Sequence, residues 1–374
     1  AISLICDVSG SMQGAKFNAV IDTVEDVLRF APNGIMLNVV VFDSAGHEVL
    51  PMTLLEPRLN RNQLVDYFRQ AMRRLSVFGG TSMSLGIQKA LQAQAAVAGN
   101  IARYGIFLTD GQNTEPEAQL VAAVQAAANA QMHLCAYGYG QDWSPEQLTK
   151  LAQMTQGWMP KAVPSDADLR AEFGALVARM AKTVASDVVL QLWTPAGANI
   201  LSLSQAYPEW VKGEAAPQGD GHTWVVPVPP MTTKEHRDFV VHVELASVGA
   251  RVVACKPAVV YVAGGQRIEE KGDQATWMIL EQTHEAAKFQ QIHPVVAGYL
   301  GQGQLAAATQ SMTEALAAGD AVAAERHRTE ALEIAQAVGN RAMTEVLDAA
   351  GKGSEIARKT AALGTSTVSL TEEA

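Results

Sequence analysis

The stretch ISLICDVSGSM, residues 2–12, decides the fold of this 374-residue chain. Its first six residues form an apolar run that ends in Asp7, which predicts a buried strand with an acidic side chain at its carboxyl end. The Ser/Gly-rich part is the turn into a helix, because apolar residues recur with helical spacing over residues 17–28. A strand that leads through a polar turn into a helix is the first unit of an alternating α/β pattern.

The same alternation continues through the first half of the chain. Apolar runs predict strands at residues 36–42, 47–52, 104–109, 132–139 and 158–163. Helical patterns lie between them at residues 61–75, 84–98, 115–131, 145–154 and 166–185. This order predicts an α/β doubly wound, mostly parallel, Rossmann-like sheet over residues 1–185. Ligands of such sheets bind beyond the carboxyl ends of the strands, where Asp7 and Asp110 are expected.

The pattern changes after residue 185. Strand-like segments at residues 188–193, 200–203, 223–228, 239–245 and 252–262 predict a small antiparallel β-sandwich over 186–270. Residues 271–364 are Ala-rich with helical spacing and predict a C-terminal α-helical bundle, with breaks at 298–303, 319–320 and 339–340. The Ser/Thr-rich residues 365–374 are expected to be a flexible tail.

Composition narrows the possible functions. With 48% apolar and 18% charged residues, the chain is expected to form two or three ordinary globular domains. A formal charge of −10 argues against a broad nucleic-acid surface, and no apolar stretch reaches the roughly 18 residues of a membrane span. The separate cysteines Cys6, Cys135 and Cys255 predict buried free thiols and a cytoplasmic location. Since the chain opens at Ala1, we expect a trimmed start.

The turn after the first strand has the chemistry of a cation site. Asp7, Ser9 and Ser11 place a carboxylate and two hydroxyls at every second position. These are hard oxygen donors, and Mg²⁺ prefers oxygen ligands with only one or two carboxylates. No thiolate or imidazole stands close enough in sequence to favour zinc. The sequence therefore predicts a magnesium site, with Mn²⁺ or Ca²⁺ as alternative occupants.

Two further segments complete a family motif. The loop at residues 79–81 is Gly-Gly-Thr, and the strand at 104–109 is followed by Asp110 and a glycine. With residues 7–11, these segments resemble the metal-ion-dependent adhesion site of the von Willebrand factor type A (vWA) family. That motif has the form D-x-S-x-S, a distant Thr and a distant Asp. The resemblance covers about residues 1–185.

The resemblance implies a function for the site. Five matching residues would surround a divalent cation: Asp7, Ser9, Ser11, Thr81 and Asp110. The two serines and either Thr81 or Asp110 would be direct ligands, and the other carboxylates would act through bound water. A Glu or Asp of a partner protein would fill the last coordination position. The chain is thus expected to be a protein-interaction module or scaffold rather than an enzyme, and its accessory domains and Ala/Gly-rich composition indicate a bacterial origin.

Other interpretations of these residues stay open. Ser9 and Ser11 would also suit a helix cap, as would Thr81. Ser82 and Ser84 are expected to be caps. Asp110 would suit the start of a turn, and Asp43 is expected in a turn although it follows the second strand at the same edge.

Two rival functions also stay open. A metal-dependent hydrolase would need a general base, but His133 and His284 are expected to be structural, and no G-x-S-x-G or H-E-x-x-H motif is present. A scaffold could act mainly through its helical domain or through its Thr-rich tail, read by a phosphothreonine-binding partner after phosphorylation.

Overall fold

The computed structural model describes residues 1–75, 79–99, 101–213, 215–245, 250–285, 288 and 292–370. The chain divides into two compact units, each formed by two segments. The first unit contains Ala1–Ser186 and Pro229–Thr233, and the second contains Asp187–Val228 and Lys234–Ala374. The predicted finer division into a sandwich over 186–270, a helical domain over 271–364 and a tail over 365–374 stays a prediction.

The first unit is built on a six-stranded sheet. Its strands are β1 (Ile2–Asp7), β2 (Met36–Phe42), β3 (Gly46–Leu54), β4 (Arg103–Thr109), β5 (Met132–Tyr139) and β6 (Lys161–Val163). Their spatial order is β3-β2-β1-β4-β5-β6, and only the β2–β3 pair is antiparallel. This confirms the predicted mostly parallel sheet. Because β1 lies between β2 and β4, Asp7 is central at the carboxyl edge.

Helices connect these strands. They are α1 (Ala15–Phe30), α2 (Arg61–Arg73), α3 (Met83–Ala95), α4 (Glu117–Asn129), α5 (Pro145–Met154) and α6 (Asp166–Met180). The four central strands, β1, β2, β4 and β5, are buried along nearly their whole length because helices cover both faces of the sheet, whereas the edge strands β3 and β6 are partly exposed. On one of those faces α3 comes especially close at Gly86, where a Cβ atom would lie 2.7 Å from the Phe42 ring. That approach places the amino end of α3 at the carboxyl edge.

The sixth helix ends earlier than its sequence pattern predicts. It ends at Met180, not at residue 185, and the strand β7 (Thr183–Trp193) begins almost at once. Thr183 pairs with Thr232 in a neighbouring strand, and its hydroxyl donates a hydrogen bond to the Met180 carbonyl. β-Branched Thr183 and Val184 also favour an extended backbone. Strand pairing therefore ends the helix.

The second unit contains antiparallel sheets. Its strands are β8 (Ala198–Tyr207), β9 (Glu209–Gly213), β10 (Ala216–Pro217), β11 (Thr223–Val228), β13 (Asp238–Leu245), β14 (Arg251–Ala263), β15 (Gln266–Lys271), β16 (Met278–Glu281), β17 (Thr365–Ser366) and most of β7. The short strand β12 (Met231–Thr232) belongs to the first unit. One sheet has the order β10-β11-β7-β14-β15, with β12 against β7 and β16 against β14. The other has the order β13-β8-β9-β17. The predicted antiparallel sheets are thus confirmed.

The C-terminal helices share an apolar core. They are α7 (Pro294–Ala317), α8 (Ala321–Ala337), α9 (Arg341–Gly351) and α10 (Glu355–Leu363). Leu305, Met312 and Leu347 are buried among alanines of neighbouring helices, and these small side chains let the helices approach one another. The predicted helical part is confirmed, but the predicted break at residues 298–303 is wrong. Helix α7 runs through that segment.

The glycines in this part of α7 make room for the side chains of neighbouring segments. A Cβ atom on Gly298 would lie 2.5 Å from the side chain of Leu370, and one on Gly303 would lie 2.6 Å from the ring of Trp210. Both positions therefore give room to a neighbouring segment and are not turns. Glycine inside a helix lowers its intrinsic stability by about 1 kcal/mol relative to alanine, so packing must offset that cost.

The last described residues are attached to the second unit by backbone hydrogen bonds. In β17, Thr365 pairs with Trp210, and the Val368 and Leu370 amides donate to Gln302 and to the Tyr299 hydroxyl. The expected flexible tail is therefore hydrogen-bonded over residues 365–370, because strand pairing satisfies its backbone groups. Its residues 371–374 lie outside the described part. No helix in the described part of the chain is long and apolar enough to cross a membrane.

Candidate functional site

The five residues singled out in the sequence meet at the carboxyl edge of the first sheet. Asp7 ends β1, Asp110 follows β4, and these strands are parallel neighbours. Ser9 and Ser11 lie in the turn after β1, which contains a short 3-10 segment, Gly10–Met12. Thr81 lies in the loop that precedes α3. Sheet topology therefore brings together side chains that are about a hundred positions apart in sequence.

Asp7 is buried and held by hydrogen bonds at both carboxylate oxygens. The Ser9 amide donates to Oδ1 at 2.8 Å, and the Thr109 hydroxyl donates to Oδ2 at 2.6 Å. Burial raises the pKa of Asp7 from 3.8 to about 6, the hydrogen bonds from Ser9 and Thr109 oppose that rise, and the charge of Asp110 adds to it. Proximity of a cation would offset the cost of an ionised carboxylate in this place.

A chain of hydroxyls joins the two aspartates. The Ser9 and Ser11 Oγ atoms lie 3.2 Å apart, and the Ser11 hydroxyl donates to Asp110 Oδ1 at 2.5 Å. Asp110 is fully buried. Helix α1 starts only at Ala15, with no side-chain hydrogen bond to its amino end, so neither serine acts as its cap. The alternative interpretation of these serines as helix caps is therefore wrong.

Thr81 lies beside this chain without a direct hydrogen bond to the aspartates in the structure. A Cβ atom on Gly111, the residue after Asp110, would lie 3.5 Å from Ser11 Oγ and 3.7 Å from Thr81 Oγ1. Both hydroxyls thus face the same small residue. Helix α3 begins after Ser82, so the N-cap interpretation of Thr81 is also wrong.

The loop that carries Thr81 is fixed by a carboxylate of another strand end. Asp43 follows β2, accepts a hydrogen bond from the Gly79 amide at 3.0 Å, and also accepts one from the Ala45 amide. Its carbonyl accepts a hydrogen bond from the Ser82 amide at 2.8 Å. Asp43 therefore acts in its own turn, as predicted, and it also positions the Thr81 loop.

Helix α3 is capped from outside. Glu115 accepts hydrogen bonds from both the amide and the hydroxyl of Ser84, at 2.7 and 2.6 Å. Ser82 is at the N-cap position but makes no side-chain cap bond. Ser82 therefore occupies the expected cap position without capping through its side chain, whereas Ser84 lies inside the helix and the Glu115 carboxylate accepts its amide. Glu115 thereby ties the segment after Asp110 to the start of α3.

Lys16 is the site residue that the sequence analysis missed. It lies in the first turn of α1, and its ammonium group forms an ion pair with Asp110 Oδ2. Asp110 thus has Ser11 on one oxygen and Lys16 on the other. A lysine five residues after Ser11 has no distinctive spacing, so only the fold reveals the contact.

The donor set fits a hard divalent cation. The cluster has two carboxylates and three hydroxyls, all oxygen donors of the kind that Mg²⁺ prefers. Two carboxylates would neutralise a divalent ion. Within the described residues, no three His, Cys, Asp or Glu side chains come together as a metal-binding group, so hydroxyls would have to complete any coordination here.

The remaining candidate residues have structural positions. His133 is buried, and its Nδ1 lies 2.8 Å from the Thr155 carbonyl oxygen, whereas His284 is exposed. Three cysteines are buried and unpaired: Cys6, Cys135 and Cys255. Burial raises the pKa of Cys6 and of Cys135 to about 12, so neither is a reactive thiolate near neutral pH. These positions confirm the predicted buried free thiols.

Comparisons with known proteins agree with this fold. The chain is similar over its length to a solved structure described as von Willebrand factor type A from Catenulispora acidiphila. The sequences are 24% identical, the match covers 98% of this chain and 89% of that one, and the TM-score is 0.86. A second similar structure is the ArnB paralog VWA2 from Sulfolobus acidocaldarius, with 14% identity, coverage of 97% and 86%, and a TM-score of 0.58.

At such identities the structures show a shared fold alone. No functionally curated protein matches the sequence. The family model of the von Willebrand factor type A domain matches residues 1–159, which contain all five residues of the cluster. The N-terminal part of this chain is therefore a vWA domain.

Proposed function

We propose that this chain is a divalent-cation-dependent protein-binding module whose cation site is the Asp7–Asp110 cluster. vWA domains are generally protein-interaction modules. The observation that carries the proposal is the hydrogen-bonded chain in which the Ser9 amide donates to Asp7, the Ser9 and Ser11 hydroxyls lie within hydrogen-bond distance, and the Ser11 hydroxyl donates to Asp110. Such a chain brings hard ligands to one place on a rigid sheet edge.

Each residue has a role in the proposal. Ser9, Ser11 and Thr81 offer the hydroxyl oxygens, while Asp7 and Asp110 supply the negative charge, partly through water. Mg²⁺ is the expected ion, with Mn²⁺ or Ca²⁺ as alternatives. A bound ion would supply an open coordination position for an Asp or Glu carboxylate of the partner. The buried hydrogen bonds to Asp7 keep its oxygens oriented before the ion arrives.

A non-enzymatic role belongs to the same proposal. Two histidines were considered as possible general bases: His133 is buried beside the Thr155 carbonyl, and His284 is exposed. A cation alone would need a positioned base to hydrolyse a substrate by general base catalysis. We also propose a cytoplasmic location, since three unpaired buried thiols suit a reducing compartment.

Calorimetry of the purified chain with MgCl₂ tests the cation site. We expect saturable binding by the wild type and none by Asp7→Ala, because the substitution removes a charge and two hydrogen-bond acceptors. Asp66→Ala is the matched control, since Asp66 is an exposed carboxylate in the middle of α2. Binding that survives Asp7→Ala unchanged would refute the assignment.

Partner binding is tested separately. Proteins captured by the wild type in MgCl₂ are compared with those captured in chelator and with those captured by Asp7→Ala. A partner of the proposed kind is recovered only by the wild type with the ion present. A set of captured proteins that is the same in all three samples contradicts a cation-dependent interaction.

A further inference from the structure

Lys16 places a positive charge next to Asp110, where the proposed cation would bind. Its ammonium group is paired with Asp110, whose side chain is fully buried, while 32% of the Lys16 side chain is exposed. The lysine side chain extends from α1 toward the end of β5. There, a Cβ atom on Gly140 would lie 3.6 Å from Nζ. Lys16 therefore lies at the rim of the cluster and remains accessible to water.

The hydrogen bonds of Asp110 set up a competition. One of its oxygens accepts a bond from Ser11 and the other is paired with Lys16. A cation that approaches through this carboxylate must either displace one of those partners or accept a nearby positive charge. Both possibilities lower its affinity. Lys16 is the partner that leaves more easily, because its charged end can move into solvent at little cost.

The ion pair also affects the cluster without a cation. An ionised carboxylate that is fully buried is strongly unfavourable unless a cation or several hydrogen bonds compensate it. Lys16 provides that compensation for Asp110. The same side chain thus stabilises the empty cluster and opposes its filling.

We propose that Lys16 is an internal counter-ion that competes with the divalent cation for Asp110 and so sets the affinity of the site. This inference rests on the proposed cation site and adds a residue that tunes it. Occupancy would then depend on the free concentration of the ion, because every binding event must overcome the charge of Lys16. A partner carboxylate could in turn pair with the released ammonium group.

The test compares the wild type with Lys16→Met and Lys16→Arg. Methionine keeps much of the apolar stem without its charge, and arginine keeps the charge. Titration with MgCl₂ at low salt is expected to show roughly tenfold tighter binding by Lys16→Met, from the removal of one unit charge near the ion. Lys16→Arg should bind within about threefold of the wild type.

A second measurement does not depend on the ion. In chelator, Lys16→Met should unfold several degrees below the wild type, because Asp110 loses its counter-ion, and MgCl₂ should restore more stability to it than to the wild type. Lys161→Met is the matched control, since it breaks an ion pair with Glu172 at another place in the same unit. Lys161→Met should have nearly the unfolding temperature of the wild type in chelator and should gain about as much stability from MgCl₂.

The outcomes separate the two proposals. If the wild type binds Mg²⁺ through Asp7 but Lys16→Met binds equally or more weakly, the counter-ion role is overturned and the cation site stands. If Lys16→Met gains Asp7-dependent binding that the wild type lacks, both ideas are supported. If no variant binds Mg²⁺, Mn²⁺ or Ca²⁺, both fail together, whatever the unfolding temperatures.

Discussion

The buried carboxylate of Asp7 makes the stability of the ion-free chain depend on pH in a defined direction. In the folded chain, Asp7 keeps its proton up to about pH 6, against an ordinary value of 3.8. Between these values the folded state binds more protons than the unfolded state, so the free energy of unfolding falls as pH rises. A pKa difference of about two units corresponds to about 3 kcal/mol. This stabilisation is complete below about pH 4 and is lost above pH 6.

The substitution Asp7→Asn isolates this contribution. Asparagine retains an acceptor for the Ser9 amide but cannot ionise. The free energy of unfolding of the variant should therefore not fall between pH 4 and pH 6 as that of the wild type does. Urea denaturation in chelator from pH 4 to pH 7 should show the variant gaining up to about 3 kcal/mol relative to the wild type across the range. Chelator is essential because a bound cation would stabilise the ionised form.

A second aspartate is the control for this pH profile. Hydrogen bonds from Thr223 and His222 lower the pKa of Asp220 to about 2, so the stability that it contributes is lost only as the pH falls below about 4. Asp220→Asn should therefore run parallel to the wild type from pH 4 to pH 7. The reasoning about Asp7 is refuted if Asp7→Asn also runs parallel to the wild type over that range.

Three further substitutions test the packing described above. Gly86→Ala puts a Cβ atom 2.7 Å from the Phe42 ring, and we expect a loss of about 1–3 kcal/mol by thermal unfolding; no loss would contradict the close approach of α3. Leu305→Ala empties a fully buried position of the helical core and should cost about 2–5 kcal/mol by urea denaturation, whereas an exposed position would cost almost nothing. Thr155→Val keeps the side-chain shape but removes the acceptor of the Leu134 amide, which should cost about 1–3 kcal/mol and speed hydrogen exchange at that amide; unchanged exchange would argue against the bond.

The parts of the fold that could be predicted have strong local signals. The strand from Met132 to Tyr139 was predicted with its observed bounds because it is buried along its whole length and flanked by clear helical patterns. Asp7 and Asp110 could be assigned to one edge because each follows an apolar run in a parallel pattern. The carboxyl ends of parallel strands meet, so proximity follows from topology alone.

The missed features depend on long-range packing. The contact between Lys16 and Asp110 joins residues 94 positions apart, and nothing in the local sequence indicates it. Glu115 replaces a local cap for the same reason. Helix α7 continues through Gly298 and Gly303 because neighbouring side chains fill the space above them, which a local reading treats as a helix break. Tertiary packing outweighs propensity at such positions.

The strand order has a consequence for splitting the chain. Because β4 lies between β1 and β5, a cut in the connection between α3 and β4 would separate the cluster into unequal parts. One fragment would hold Asp7, Ser9, Ser11 and Thr81, and the other would hold Asp110. Re-association would need β4 to pair with β1 again and close the sheet. Cation binding by a mixture of the two fragments would then report complementation directly.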